Sequence, residues 1–175
     1  MQQTFLKGRN ETANGPSVRR PDTEYTLNLA IVYQDTPTRQ WAGKVQDQLA
    51  ELVGEETIHC TEWKIDDLNN PGIYSKGVAA LARADVIVVS LYEARRLPSV
   101  FYLWVNLWLQ VRSWRPGALV ALVVPADGSD GRAGETRRYL CAVASQGSLD
   151  LLESNRPSEP IPGLREDIHQ WATAA

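Results

Sequence analysis

Three aspartates and one serine are the residues of this sequence whose types and positions could do chemistry. Asp35 follows the apolar run Leu29-Ala30-Ile31-Val32, Asp66 and Asp67 follow a run ending at Ile65, and Ser90 ends the run Val86-Ile87-Val88-Val89. Carboxylates gathered at one edge can hold Mg²⁺ through oxygen ligands, and Glu93 could join Asp35, Asp66 and Asp67 in such a ligand or metal edge. The plainer use of loop aspartates is to cap helices and stay solvated, and that reading is preferred, with no metal and no cofactor expected.

A serine nucleophile needs a base held against it. The two histidines, His59 and His169, fall in a strand and in the terminal helix, and Ser90 stands outside any GxSxG setting. No catalytic residue is therefore assigned. Phosphate binding needs backbone N–H groups that a ligand can approach, which is why such loops are rich in glycine. The turn Gln34 to Arg39 has no glycine, and neither GxGxxG nor GxxxxGK[ST] occurs. A flavodoxin-type loop of hydroxyls and glycine is unmatched as well, so flavin is not expected. The stretch Asp127 to Gly134 could hold an anion, but it reads first as a flexible surface turn.

The elements that must position these residues alternate. Strands are expected at Tyr25–Tyr33, Thr57–Ile65, Asp85–Leu91, Ala118–Val124 and Ser148–Leu152. Helices are expected after Thr36-Pro37, after Asn70-Pro71, from Pro98 to about Ser113, from Glu135 to Ser145 and from Gly163 to Ala172. Trp41, Val45 and Leu49 recur at helical spacing behind the first strand. Strand–helix alternation implies a parallel sheet covered on both faces. The fold class is α/β, a three-layer α/β/α sandwich with a five-stranded parallel sheet in the order 2-1-3-4-5. Strands one, three and four are interior in that order, and they are the three most apolar strands. Ligands of such folds bind beyond the carboxyl ends of the strands.

Bulk properties limit the role. A chain of 175 residues with 43% hydrophobic and 22% charged residues supports one domain of ordinary core size. Residues 1–24 are polar and read as a disordered tail, leaving 25–175 as a single domain. The net charge of −3 argues against a general nucleic-acid partner. The longest apolar run, Leu97 to Trp114, is broken by polar residues and falls short of the roughly 20 apolar residues of a membrane span. Cys60 and Cys141 form no CxxC pair and read as small buried hydrophobes in a reducing compartment. With no signal-peptide pattern at the start, the expected location is the cytoplasm.

The third helix carries more apolar surface than one sheet needs. Val100, Leu103 or Trp104, Leu107 and Val111 suffice to cover the strands, leaving Phe101, Val105, Trp108 and Leu109 as a second row, with which Trp104 at the border is grouped. That row is either buried between the second and fourth helices or a surface for a homodimer or protein partner.

On this pattern the chain from about Tyr25 to Ala172 resembles a response-regulator receiver domain. Leu29 to Pro37 is similar to that family's first strand and acidic turn, Asp85 to Leu91 to the strand ending in the phosphorylated aspartate, and Gly147 to Ser154 to the last strand, which ends in a lysine. The resemblance makes Gln34, Asp35, Ser90, Val124 and Ser154 the pocket positions. Ser90 replaces the phospho-acceptor, Ser154 the lysine and Val124 the switch hydroxyl, and Asp35 alone remains of the acidic pair. The implied protein is a non-catalytic pseudo-receiver, a regulatory interaction module. A weaker similarity links Ala84 to Leu91 with the third strand of TIR-type domains, some of which cleave NAD with a glutamate, here Glu93. The alternatives are thus a small-ligand or nucleotide-binding domain, or a TIR-like NAD-processing enzyme, with its site at the carboxyl edge of the sheet. A structural subunit of a larger assembly is the third.

Overall fold

A computed structural model describes residues 26–93, 96–125, 133–156 and 159–173. The expected tail at 1–24 and most of the expected anion loop, residues 127–132, lie outside the described residues. In chain order the elements are β1 Leu27–Tyr33, α1 Thr36–Val53, β2 Ile58–Lys64, α2 Pro71–Arg83, β3 Val86–Tyr92, α3 Ser99–Val111, β4 Ala118–Val124, α4 Ala133–Gln146, β5 Asp150–Ser154 and α5 Leu164–Thr173. Short 3₁₀ turns at Glu55–Thr57 and Ile65–Asn69 flank β2.

All strand pairs are parallel and the sheet order is β2-β1-β3-β4-β5, as expected. Side chains alternate across a strand, so each strand feeds two cores. Leu27, Leu29, Ile31, Val86, Val88, Val120 and Leu122 point toward α1 and α5. Ala30, Val32, Ile87, Val89, Leu91, Ala121 and Val123 point toward α2, α3 and α4. The two-sided burial explains why β1, β3 and β4 are continuous aliphatic runs. The edge strand β2 is half-exposed and correspondingly polar.

Local chemistry sets the element ends. Asn70 caps α2, its Oδ1 accepting from Gly72 N at 2.9 Å and Ile73 N at 3.4 Å. For α1 the cap is Asp35 and not the expected Thr36, so the helix begins one residue earlier. Asp35 wins because Thr38 answers it: Thr38 N donates to Asp35 Oδ1 at 3.2 Å, and Asp35 N donates to Thr38 Oγ1 at 2.9 Å, a reciprocal capping box. The fifth strand starts two residues later than expected. Ser148 holds φ at 52°, so the chain is still turning there.

The phase of α3 is the reverse of the expected one. Phe101, Trp104, Val105 and Trp108 are buried against the sheet and α2, with Leu109 packed beside them, while Leu103 is 63% and Val111 57% exposed. Both rows are apolar, but the aromatic row removes far more surface from water. The Trp104 indole also finds a partner, its Nε1 donating to Tyr74 O at 3.1 Å. The proposed interface row is therefore core. Tyr139 of α4 lies against Phe101 and Tyr102, with ring centroids 6.3 and 4.9 Å apart, and burial pushes its hydroxyl up to about 12.

A polar clasp closes the amino edge. The buried Asp85 carboxylate accepts from Asn28 N at 2.8 Å, Asn28 Nδ2 at 3.1 Å and Arg115 at 3.1 Å. Arg112, also buried, donates to the carbonyls of Gly147, Leu81, Ala84 and Arg115 at 2.8–3.3 Å. Desolvation lowers its pKa, but the guanidinium stays charged and joins α3 to α2 and α4.

The cysteines depart from expectation. Both are free, Cys141 is exposed, and Cys60 is only half-buried. Burial, followed by the nearby Glu62 carboxylate, pushes the Cys60 thiol up to about 11. No described helix is long and apolar enough to cross a membrane.

Candidate functional site

The strand order reverses between β1 and β3, the place where sheets of this kind open a crevice at the carboxyl edge. Gln34 ties its two sides together. The residue is buried, and its Oε1 accepts from Tyr92 N at 2.6 Å across the switch point. Glu93 N in turn donates to Val124 O at 3.0 Å, fixing the end of β3 against the end of β4.

A cleft of about 370 Å³ lies over these strand ends on the α1 side. Pro37, Thr38, Gln40, Trp41 and Lys44 of α1 line it, together with Tyr92 and Val124 from the ends of β3 and β4. Pro37, Trp41 and Lys44 are spaced four and three apart, which places them along one flank of the helix. Tyr92 and Val124 share the α1 face because each is an even number of residues from Val88 and Val120. The walls are mainly apolar and aromatic, with Gln40, Thr38 and Lys44 as polar groups.

The turn between β1 and α1 is closed on itself. Gln34 N and Asp35 N both donate to Thr38 Oγ1, at 3.1 and 2.9 Å. Thr38 N donates to Asp35 Oδ1 and Arg39 N to Asp35 O. The Arg39 side chain is drawn away to Glu62 on β2 at 2.6 Å, and that bond raises its pKa.

Below the cleft, Ser90 is fully buried between Tyr33 and Leu122, and its Oγ has no hydrogen-bond partner. Glu93 is 7% exposed and its Oε1 likewise lacks a partner. Of the residues expected to form a pocket, Gln34, Asp35, Ser90 and Val124 do meet at this edge. Ser154 does not: it ends the outer strand β5, where its hydroxyl bonds the backbone of Arg156.

The proposed metal edge is not assembled. Asp66 and Asp67 are exposed in the turn after β2, Asp66 lies 3.7 Å from Lys64, and no group of three His, Cys, Asp or Glu among the described residues is placed to hold a metal ion. Asp35 is committed to capping instead. Sequence reasoning missed Thr38, Gln40 and Lys44 and read Trp41 only as core. The available signal was the spacing of Pro37, Trp41 and Lys44 directly after the first strand.

No protein-family model matches the chain, and no curated protein sequence matches it. Solved structures do. A short-chain flavodoxin associated with a bacterial microcompartment matches with a TM-score of 0.52 at 16% identity, covering 85% of this chain and 96% of its own. An oxidoreductase from Corynebacterium diphtheriae matches with a TM-score of 0.51 at 13% identity, covering 86% and 93%. At such identities the likeness is one of fold. It corrects the expectation of a non-catalytic pseudo-receiver: the solved structures that the fold resembles are a flavodoxin and an oxidoreductase. The chain has the flavodoxin-like α/β fold.

Proposed function

We propose that the chain is a small-ligand-binding domain whose site is the carboxyl-edge cleft, and that the ligand presents a flat heteroaromatic ring of the flavin or nucleotide-base kind. The observation that carries this reading is the cleft itself. It lies between the start of α1 and the carboxyl ends of β3 and β4, is walled by Trp41 and Tyr92, and has a volume of about 370 Å³. Ligand pockets run from about 300 to 1,000 Å³ and combine apolar walls with a few polar groups. The flavodoxin match supports a flavin as the first ring to test. Gln40 is the group that would orient the ring edge, and Lys44 would meet an electron-rich substituent at the rim.

Riboflavin and adenosine are the probes, titrated against the full chain by equilibrium dialysis. Saturable one-to-one binding of either is expected, weakened about tenfold in Tyr92→Ala by the loss of one aromatic contact and its apolar area. Absence of binding by both, in a protein shown to be folded, rejects the reading.

A further inference from the structure

We propose that a second pocket, at the amino edge of the sheet, binds a small phosphate ester through Arg83 and Arg115. It is independent of the cleft reading, since this pocket lies at the opposite edge and on the opposite face of the sheet. The pocket has a volume of about 370 Å³. Asn28 at the start of β1, His59 and Thr61 near the start of β2, Arg83 at the end of α2 and Arg115 just before β4 line it. Leu27, Leu29, Ile58 and Cys60 belong to the α1 face, so the alternate residues Asn28, His59 and Thr61 project toward α2. They give a polar floor to a face that is apolar further along the same strands.

The pocket carries excess positive charge. No aspartate or glutamate is among its described lining residues. The buried Asp85 carboxylate beneath it balances one arginine: Arg115 Nη2 lies 3.1 Å from Asp85 Oδ1, while Asn28 occupies Oδ2. That ion pair engages one nitrogen of Arg115, whose side chain is 43% exposed, and leaves its other N–H groups for a ligand. Arg83 uses Nε to reach Ala79 O at 3.1 Å, and no described carboxylate pairs with its two terminal nitrogens. The carbonyl end of a helix repels anions, but here it is already met by a cation: the buried Arg112 donates to Leu81 O at 3.3 Å and Ala84 O at 2.8 Å. The charge of Arg83 is thus left in excess. Guanidinium forks match the oxygens of a phosphate, and the His59 ring offers a further N–H. Thr61 and His59 on the floor suit the hydroxyls of an ester rather than a flat apolar ring.

The test is a ¹H–¹⁵N NMR titration of the full chain with inorganic phosphate, glycerophosphate and glycerol, at an ionic strength held constant with sodium chloride. Phosphate should shift the amides of Asn28, His59 and Thr61 saturably, with a Kd of about 1 mM. Glycerophosphate should bind about threefold tighter or better, through hydrogen bonds to its hydroxyls, and glycerol alone should not bind. Arg83 is exposed, so Arg83→Gln should keep the fold, and it should weaken both anions about tenfold. Arg83→Lys, which keeps the charge and loses the fork, should fall between the two. Shifts that rise without saturation, that sodium chloride reproduces, or that keep their affinity in Arg83→Gln overturn the proposal. So do shifts centred on Trp41 and Tyr92, which would put the anion in the carboxyl-edge cleft. Glycerophosphate binding no tighter than phosphate would overturn the ester as ligand. Riboflavin enters none of these readouts, so failure here and failure of the cleft reading are told apart.

Discussion

On the α2–α3–α4 face of the sheet, Phe101, Trp104 and Trp108 lie side by side in a closed core, whereas on the α1–α5 face Trp41 borders a cleft that opens to Tyr92. The same strands supply both faces, so the difference comes from the helices. α3 brings large rings, and α2 makes room for them at Gly77, where an added Cβ would lie 2.6 Å from Trp104 Cζ2. α1 brings one ring, and its first turn is occupied by its own capping box. Both faces carry a core, and the α1 face also leaves an open cleft at the carboxyl edge. Substitutions on the two faces should therefore differ in size and, for chemically identical changes, in sign.

The largest effect is expected at Trp104. Its side chain is fully buried and its Nε1–H is bonded to Tyr74 O. Trp104→Ala should cost about 3–5 kcal/mol in denaturant unfolding, from lost transfer energy and the cavity left behind. A loss below about 2 kcal/mol would mean that the helices collapse into the gap, and that the closed face is less rigid than its packing implies.

Gly77→Ala comes next. In a helix interior this change normally gains up to about 1 kcal/mol. Here the new methyl meets the Trp104 ring at Cζ2, Cε2 and Nε1, and the ring is anchored by its hydrogen bond. Overpacking of a tight core costs about 1–3 kcal/mol, so the net expectation is a loss of about 1–2 kcal/mol. A gain in the unfolding midpoint would show that Trp104 moves freely.

Ser90→Ala tests the floor of the open face. The buried Oγ has no partner, and an unsatisfied polar group of this kind costs about 1–3 kcal/mol. Removing it should raise stability by about 1 kcal/mol after the small void is counted. A loss of stability would show that the hydroxyl makes a bond in solution and is part of a wet site.

The sequence was informative where one physical requirement dominated. Runs such as Val86 to Leu91 and Ala118 to Val124 must be buried on both sides, and that alone implies a doubly covered parallel sheet with these strands inside. The phase of α3 was not legible, because both of its rows are apolar and the choice depends on a glycine in another helix, Gly77, and on a carbonyl at Tyr74. The cleft was illegible for a related reason. Trp41 reads as core from its spacing, and only the assembled sheet shows that Tyr92 and Val124 end beside it. The self-closed turn was half visible. A missing glycine was plain in Gln34 to Arg39, but the reciprocal bonds between Asp35 and Thr38 follow from a three-residue spacing that was read as a Thr36 cap.

Gly43 provides the counterpart to Gly77 on the open face and the smallest expected effect. It lies inside α1, next to the cleft-lining Lys44 but outside the lining itself, and an added Cβ would meet nothing within 4 Å. With no steric term, only backbone entropy and helix propensity remain, and Gly43→Ala should stabilise the protein by about 0.5–1 kcal/mol. The same substitution thus lowers stability on one face and raises it on the other. Gly43→Ala should also leave riboflavin affinity unchanged, since the methyl adds to the outer flank of α1 and touches no lining residue. If it weakened binding instead, α1 would have to bend or shift when the ligand enters, and the open face would be a moving wall and not a fixed one.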